Sequence, residues 1–161
     1  MEIGVYNGDN AVSMVKSALR VCQPGEVLYV GFDFFSQYKR EQVAERMEEL
    51  GCRYRLFQGN TVDTLPSVID SLPLMGIIFI DGGKSYPVAS SDWEWSSRLM
   101  HDETGVFIHN AGFRGVARVV KGISREVYHV DVFDEASEGK VALIKKREKD
   151  DYNSTIERID Y

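Results

Sequence analysis

At 161 residues the chain has room for one well-buried core and not for two, and its 43% hydrophobic and 27% charged residues suit a water-soluble globular domain. No apolar run approaches the ~20 residues of a membrane span and no signal peptide precedes the first strand, so a cytoplasmic protein without a membrane partner is expected. The net charge of −6 argues against broad attraction to a nucleic-acid backbone. Cys22 and Cys52 lie far apart without metal-ligand spacing and read as small buried thiols near helix ends.

In chain order, short apolar runs appear at MEIGV, EVLYVGF, YRLF, MGIIFID and TGVFIH. Continuous runs of that length suit strands buried on both faces, as in a parallel sheet. Helical spacing fills the intervals: Val12, Val15 and Leu19 repeat at three and four residues, as do Val43, Met47 and Leu50. Gly25, Gly51, Gly59 and Gly105 punctuate the junctions. Strand alternating with helix five times over predicts an α/β, Rossmann-like, doubly wound sheet. After a helix around Gly115 to Ile123, REVYHVDVFD and GKVALIKKRE are joined by the polar EASEG and predict an antiparallel hairpin. The domain is expected to span residues 1–147, with a charged C-terminal tail over 148–161.

Ligands of an open parallel sheet bind at the carboxyl ends of its strands. The first run ends Gly4-Val5-Tyr6-Asn7-Gly8, where glycines four apart let the backbone pass close to a ligand ahead of a helix N-terminus. This is neither the G-x-G-x-x-G of dinucleotide folds nor a P-loop. The second run ends Gly31-Phe32-Asp33-Phe34, and a carboxylate there either binds both hydroxyls of a ribose or caps the next helix. Gln58-Gly59-Asn60-Thr61 suits a base edge or helix capping. The fourth and fifth runs end Asp81-Gly82-Gly83-Lys84-Ser85-Tyr86 and His109-Asn110.

Taken together, EIGVYNG, GFDFF, FQGNTVDTLP, FIDGGKSYPVASSDWEW and GVFIHNAGFRGV resemble the class I S-adenosylmethionine-dependent methyltransferases, in the small O-methyltransferase-like branch (methyltransferase domain 24 type). The resemblance implies a seven-stranded, mostly parallel sheet and S-adenosylmethionine as cofactor. It implies a turn around Gly4, Tyr6 and Gly8 beside the methionine portion, with Glu2 near its amino group. Asp33 would hold the ribose, Phe34 would stack on adenine, Asn60 and Thr61 would border the adenine edge, and Asp81 would face the sulfonium and the incoming nucleophile. The function so implied is methyl transfer to a small-molecule acceptor, at oxygen, with Asp81, Lys84 and His109 as the catalytic candidates.

Lys84 stands where this branch carries a histidine, and it serves as a base only if its pKa is lowered; otherwise it is a solvated lysine or an anchor for an anionic substrate. Asp81 and Asn110 make a thin set of ligands for a hard cation, so no metal site is assigned. His109 is either a base or a plain strand residue; His101 and His129 are assigned to solvent or packing. On SYPVASSDWEWSSRLM, Trp95 shares a stripe with Val88, Leu99 and Asp92 and is expected on the sheet, with Trp93 facing outward or toward another chain. Asp92 needs a partner, for which Lys84 is the candidate. The helices that usually precede strand one in this family, covering the cofactor, are missing, so either the sequence is a fragment or the pocket is open and completed by another subunit in a homo-oligomer. A catalytically degenerate binding or interaction module is the alternative function.

Overall fold

The computed structural model describes residues 1–135 and 139–148. Five βα units open the chain: β1 Glu2–Ile3 and α1 Asp9–Ala18, β2 Leu28–Asp33 and α2 Arg40–Glu49, β3 Arg53–Gln58 and α3 Thr61–Val68, β4 Met75–Ile80 and α4 Tyr86–Ser97, β5 Met100–Ile108 and α5 Arg114–Gly122. Strands β6 Tyr128–Glu135 and β7 Gly139–Lys146 close it. The order across the sheet is β3-β2-β1-β4-β5-β7-β6. The first five strands pair in parallel, and β7 runs antiparallel to both β5 and β6. The doubly wound sheet and its closing hairpin are thus as the sequence predicts.

The continuous apolar strands are explained by two cores, one on each face. Ile3, Val30, Phe32, Ile78, Ile80, Val106 and Ile108 pack with α3, α4 and α5 residues such as Leu65, Ala89 and Val116. Val5 and Tyr29 pack on the other face with Ala11, Val15, Val43 and Met47 of α1 and α2. Each fully buried large side chain contributes about 1.5–3 kcal/mol. Neighbours along β2 alternate between the cores, Tyr29 into one and Val30 into the other.

Chain order reverses at β1, which pairs with β2 on one side and β4 on the other. A switch point of this kind opens a crevice at the carboxyl ends of the strands. At the opposite ends, an open apolar groove of about 470 Å³ is lined by residues including Met1, Met14, Ala18, Leu74 and Ile77. Its walls are carbon-rich and it lies across the sheet from the polar strand tips.

Two expectations need correction. Cys52 is buried but Cys22 is exposed, because α1 ends at Ala18 and Cys22 lies beyond it. Trp93 does not face outward: its ring meets Tyr128 edge-on, with centroids 5.3 Å apart, and it packs against the core beside Trp95. The buried line of α4 is instead small and polar, Ala89, Asp92 and Ser96. Except for Glu148, the expected tail lies outside the described residues. Among the described residues no helix is long and apolar enough to cross a membrane.

Candidate active site

The first strand ends after two residues because Gly4 takes φ +85° while its N–H still reaches Phe32 O at 2.8 Å. A Cβ at Gly4 would overlap the Asp81 carbonyl, so only glycine lets the tips of β1 and β4 come this close. Gly8, at φ +82°, caps α1 against Val43. The turn between them is clamped from α2: Arg46 donates to Asn7 O and to Asp9 Oδ1, both at 2.7 Å, and holds the Asp9 carboxyl below its ordinary range. Sequence reading missed Arg46, since nothing at its position distinguishes it from a solvated helix arginine.

Glu2 lies under the turn: only 1% exposed, it accepts from Asn10 at 2.7 Å and from the hydroxyl of Tyr29. Burial raises its pKa, opposed by those two bonds, and Tyr29 is raised well above its usual value by burial and by Glu2.

Asp33 is not a helix cap, since α2 begins only at Arg40. Its Oδ2 accepts the Tyr6 N–H at 2.9 Å and its Oδ1 the Phe35 N–H at 2.7 Å, tying the first turn to the second. Each oxygen keeps a further lone pair for a ligand hydroxyl. Beside it Phe34 is 60% exposed, and Tyr6 is 55% exposed with its ring edge-on to Tyr38. Asn60 is the N-cap of α3, its side-chain oxygen accepting from Val62 N at 3.2 Å, and Thr61 is buried behind it. The capping role therefore occupies one side of the Asn60 amide.

At the tips of β4 and β5 three candidates meet. Asp81 Oδ1 takes the Lys84 ammonium and Oδ2 lies 3.0 Å from His109 Nδ1. The His109 main chain continues the sheet, its N–H donating to Ile80 O, and its ring lies nearly parallel to Phe79. Lys84 has a carboxylate for its neighbour and stands as the charge partner of Asp81. The loop carrying it is held on two sides. Gly115 of α5 lies so close to the Lys84–Tyr86 backbone that a Cβ there would overlap it, and a Cβ at Gly82 would meet Ile3 and the Asp92 carboxylate. Burial lifts the Asp92 pKa from 3.8 to about 6, against the pull of Thr61 and Lys84. His101, assigned to solvent or packing, uses Nδ1 to accept the Glu103 N–H.

Tyr6, Phe35 and Asn110 are the described non-glycine residues with positive φ, near 50°, and all three sit at strand tips on this one edge. Such backbone costs about 1 kcal/mol or more per residue and persists where surrounding contacts impose it. Among the described residues no group of three His, Cys, Asp or Glu side chains comes together that could hold a metal ion. The arrangement fits a nucleoside carrying a positively charged group. It offers a side-chain-free approach at Gly4, carboxylates at the tips of β2 and β4 on either side of β1, an exposed aromatic face and a histidine beside a carboxylate.

Residues 1–111 match a family model described as a methyltransferase domain. No curated protein sequence matches the chain. Among solved structures, it is similar to an O-methyltransferase of Bacillus cereus in complex with SAH, with 16% identity over 91% of this chain and 72% of the other and a TM-score of 0.71. It is also similar to an O-methyltransferase of tomaymycin synthesis from Streptomyces achromogenes in complex with SAM, with 18% identity, 91% and 72% coverage and a TM-score of 0.70. A third is a TDP-rhamnose 3′-O-methyltransferase of calicheamicin biosynthesis, with 19% identity, 90% and 70% coverage and a TM-score of 0.70. The switch-point crevice, the polar tips and the family match across more than half of the sequence have one common explanation: the chain belongs to the methyltransferase-domain family, among the class I enzymes whose cofactor is S-adenosylmethionine.

Proposed function

We propose that the protein methylates a hydroxyl oxygen of a small-molecule acceptor, with His109 as the general base. The observation that carries this reading is the Asp81–His109 contact of 3.0 Å at the tips of neighbouring parallel strands. A carboxylate 3.0 Å from Nδ1 stabilises the imidazolium that forms when the other ring nitrogen, Nε2, takes a proton. S-adenosylmethionine, when bound, supplies a methyl group on a positively charged sulfur.

In this reading Asp81 holds His109 in orientation and sets negative charge near that sulfur. Lys84 balances the charge of Asp81 in the absence of ligand. Asp33 receives the ribose hydroxyls, Phe34 stacks on adenine, Asn60 and Thr61 border its edge, and the turn at Gly4, Tyr6 and Gly8 leaves room for the methionine portion. Positioning and charge matching provide most of the rate. The similar structures named above are O-methyltransferases, which supports oxygen as the acceptor atom.

The test is a screen of hydroxyl-bearing compounds with ¹³C-methyl-labelled S-adenosylmethionine, following label in the product. A methoxy carbon resonance supports the proposal, whereas label appearing only on nitrogen or carbon rejects oxygen transfer. His109→Gln should lower kcat by about 10²–10⁴-fold while leaving cofactor affinity within a factor of two. Undiminished turnover would remove His109 from the base role. Self-association of two copies belongs to the same reading, supported by the open apolar groove, and sedimentation showing only monomer at high concentration would reject it.

A further inference from the structure

Asp92 has no role in the reading above, yet it lies directly against the site. It is 1% exposed, and neither carboxylate oxygen has a hydrogen-bond partner among the described residues. A Cβ built at Gly82 would come within 2.9 Å of Asp92 Oδ2, which places the carboxylate beside the loop that carries Lys84. Unpaired buried carboxylates are costly, and one kept at the edge of a charged site needs an explanation. The groups that face it are the Thr61 hydroxyl from α3 and the Lys84 ammonium, both of which favour its charged form. Lys84 thus has two carboxylates to answer: Asp81, with which it is paired, and Asp92, whose charged form it favours.

This arrangement has a consequence for a cationic ligand. With Lys84 on Asp81, a positive sulfur arriving beside Asp81 meets a positive charge already in place, and the two repel. The loop backbone lies close against Gly115 of α5. The lysine stem, with four carbons between backbone and ammonium, does have freedom.

We propose that Asp92 is a positioning residue whose buried carboxylate provides a second seat for the Lys84 ammonium, occupied when a cationic ligand takes the place beside Asp81. The proposal rests on the reading of Asp81 as the carboxylate that faces the cofactor's sulfur. In the ligand-free protein Lys84 neutralises Asp81. On binding, the positive charge of the ligand replaces it there and Lys84 neutralises Asp92. The site thereby distinguishes charged S-adenosylmethionine from its uncharged demethylated product by more than the attraction of Asp81 alone.

The test is the ratio of affinities for S-adenosylmethionine and S-adenosylhomocysteine, which differ in that methyl and its charge, measured by calorimetry in four proteins: wild type, Asp92→Asn, Lys84→Met and the double variant. Asp92→Asn should weaken S-adenosylmethionine by about tenfold while leaving S-adenosylhomocysteine within about twofold. In the Lys84→Met background, which keeps the stem without the charge, Asp92→Asn should leave the ratio unchanged. Equal loss of both ligands would mean that Asp92 only supports the fold, and overturns the proposal. A selective loss that persists without Lys84 would mean that Asp92 acts on the ligand directly, and also overturns it. A wild type that binds neither ligand removes the cofactor reading, and the handover with it. A wild type that binds both, with no coupling between Asp92 and Lys84, removes the handover alone.

Discussion

At the tips of β1 and β2 polar groups are committed to one another. Asp33 accepts two backbone N–H groups, Arg46 spans Asn7 and Asp9, and buried Glu2 is bonded by Asn10 and Tyr29. At the tips of β4 and β5 and on α4 beside them charges share partners unevenly: Asp81 serves both Lys84 and His109, while Asp92 lies buried with neither oxygen hydrogen-bonded among the described residues. The first half is built to hold its shape before a ligand arrives, as binding a nucleoside in one orientation requires. The second half keeps electrostatic strain, as expected where charge must be redistributed during a reaction. The difference teaches that pre-organisation and charge readiness are separated along one sheet edge, to either side of the switch point.

The largest effect should come from the point where the halves touch. Gly4→Ala places a side chain at φ +85° and against the Asp81 carbonyl, so the tips must separate. A cost of about 3 kcal/mol or more is expected in urea unfolding, with loss of cofactor binding. An unchanged midpoint would show that the halves are not held in contact there.

Asp92→Asn should do the opposite to stability. Burial raises the folded-state pKa of Asp92 from 3.8 to about 6, so the folded chain holds that proton more tightly than the unfolded chain does. The resulting stability is full below the unfolded value and is lost as pH rises through about 6. Ionisation of Asp92 at pH 8 therefore costs up to about 3 kcal/mol, which a neutral isostere avoids. Thermal unfolding of Asp92→Asn should show a midpoint roughly 5–10 °C above wild type at pH 8 and no difference near pH 4. A midpoint below wild type at pH 8 would mean that the charged carboxylate stabilises the fold, and the contrast between the halves would fail.

The smallest effect is expected at Asn60. Asn60→Ala removes the cap of α3 at a cost of about 1 kcal/mol in urea unfolding. If capping is its whole contribution, cofactor affinity stays put; a parallel tenfold loss of affinity would extend the pre-organised half to the adenine edge.

How much of this was legible beforehand depends on the distance over which each interaction acts. The five apolar runs, the helical spacings and the closing hairpin gave the fold, because burial on both faces leaves its mark on consecutive residues. The tip residues Asp33, Asp81, Lys84 and His109 could be named because a strand's end is local to its sequence. Their pairing could not, since which tips are neighbours follows from strand order, and β1 lies beside β4 only after the chain has reversed direction across the sheet. Glu2 reads as a site residue in sequence but is enclosed by Tyr29 and Asn10 in the fold. Arg46 and Gly115 reach the site across long stretches of chain and a packed layer, and no local pattern records such contacts. Asp92 lies between these cases. Its place on the buried stripe of α4 follows from a period of 3.6 residues, while its lack of a hydrogen-bond partner depends on how α3, α4 and the β4 loop pack around it. Sequence set the elements and the chemistry at their ends; packing decided which charges are satisfied, because satisfaction is a property of neighbours in space.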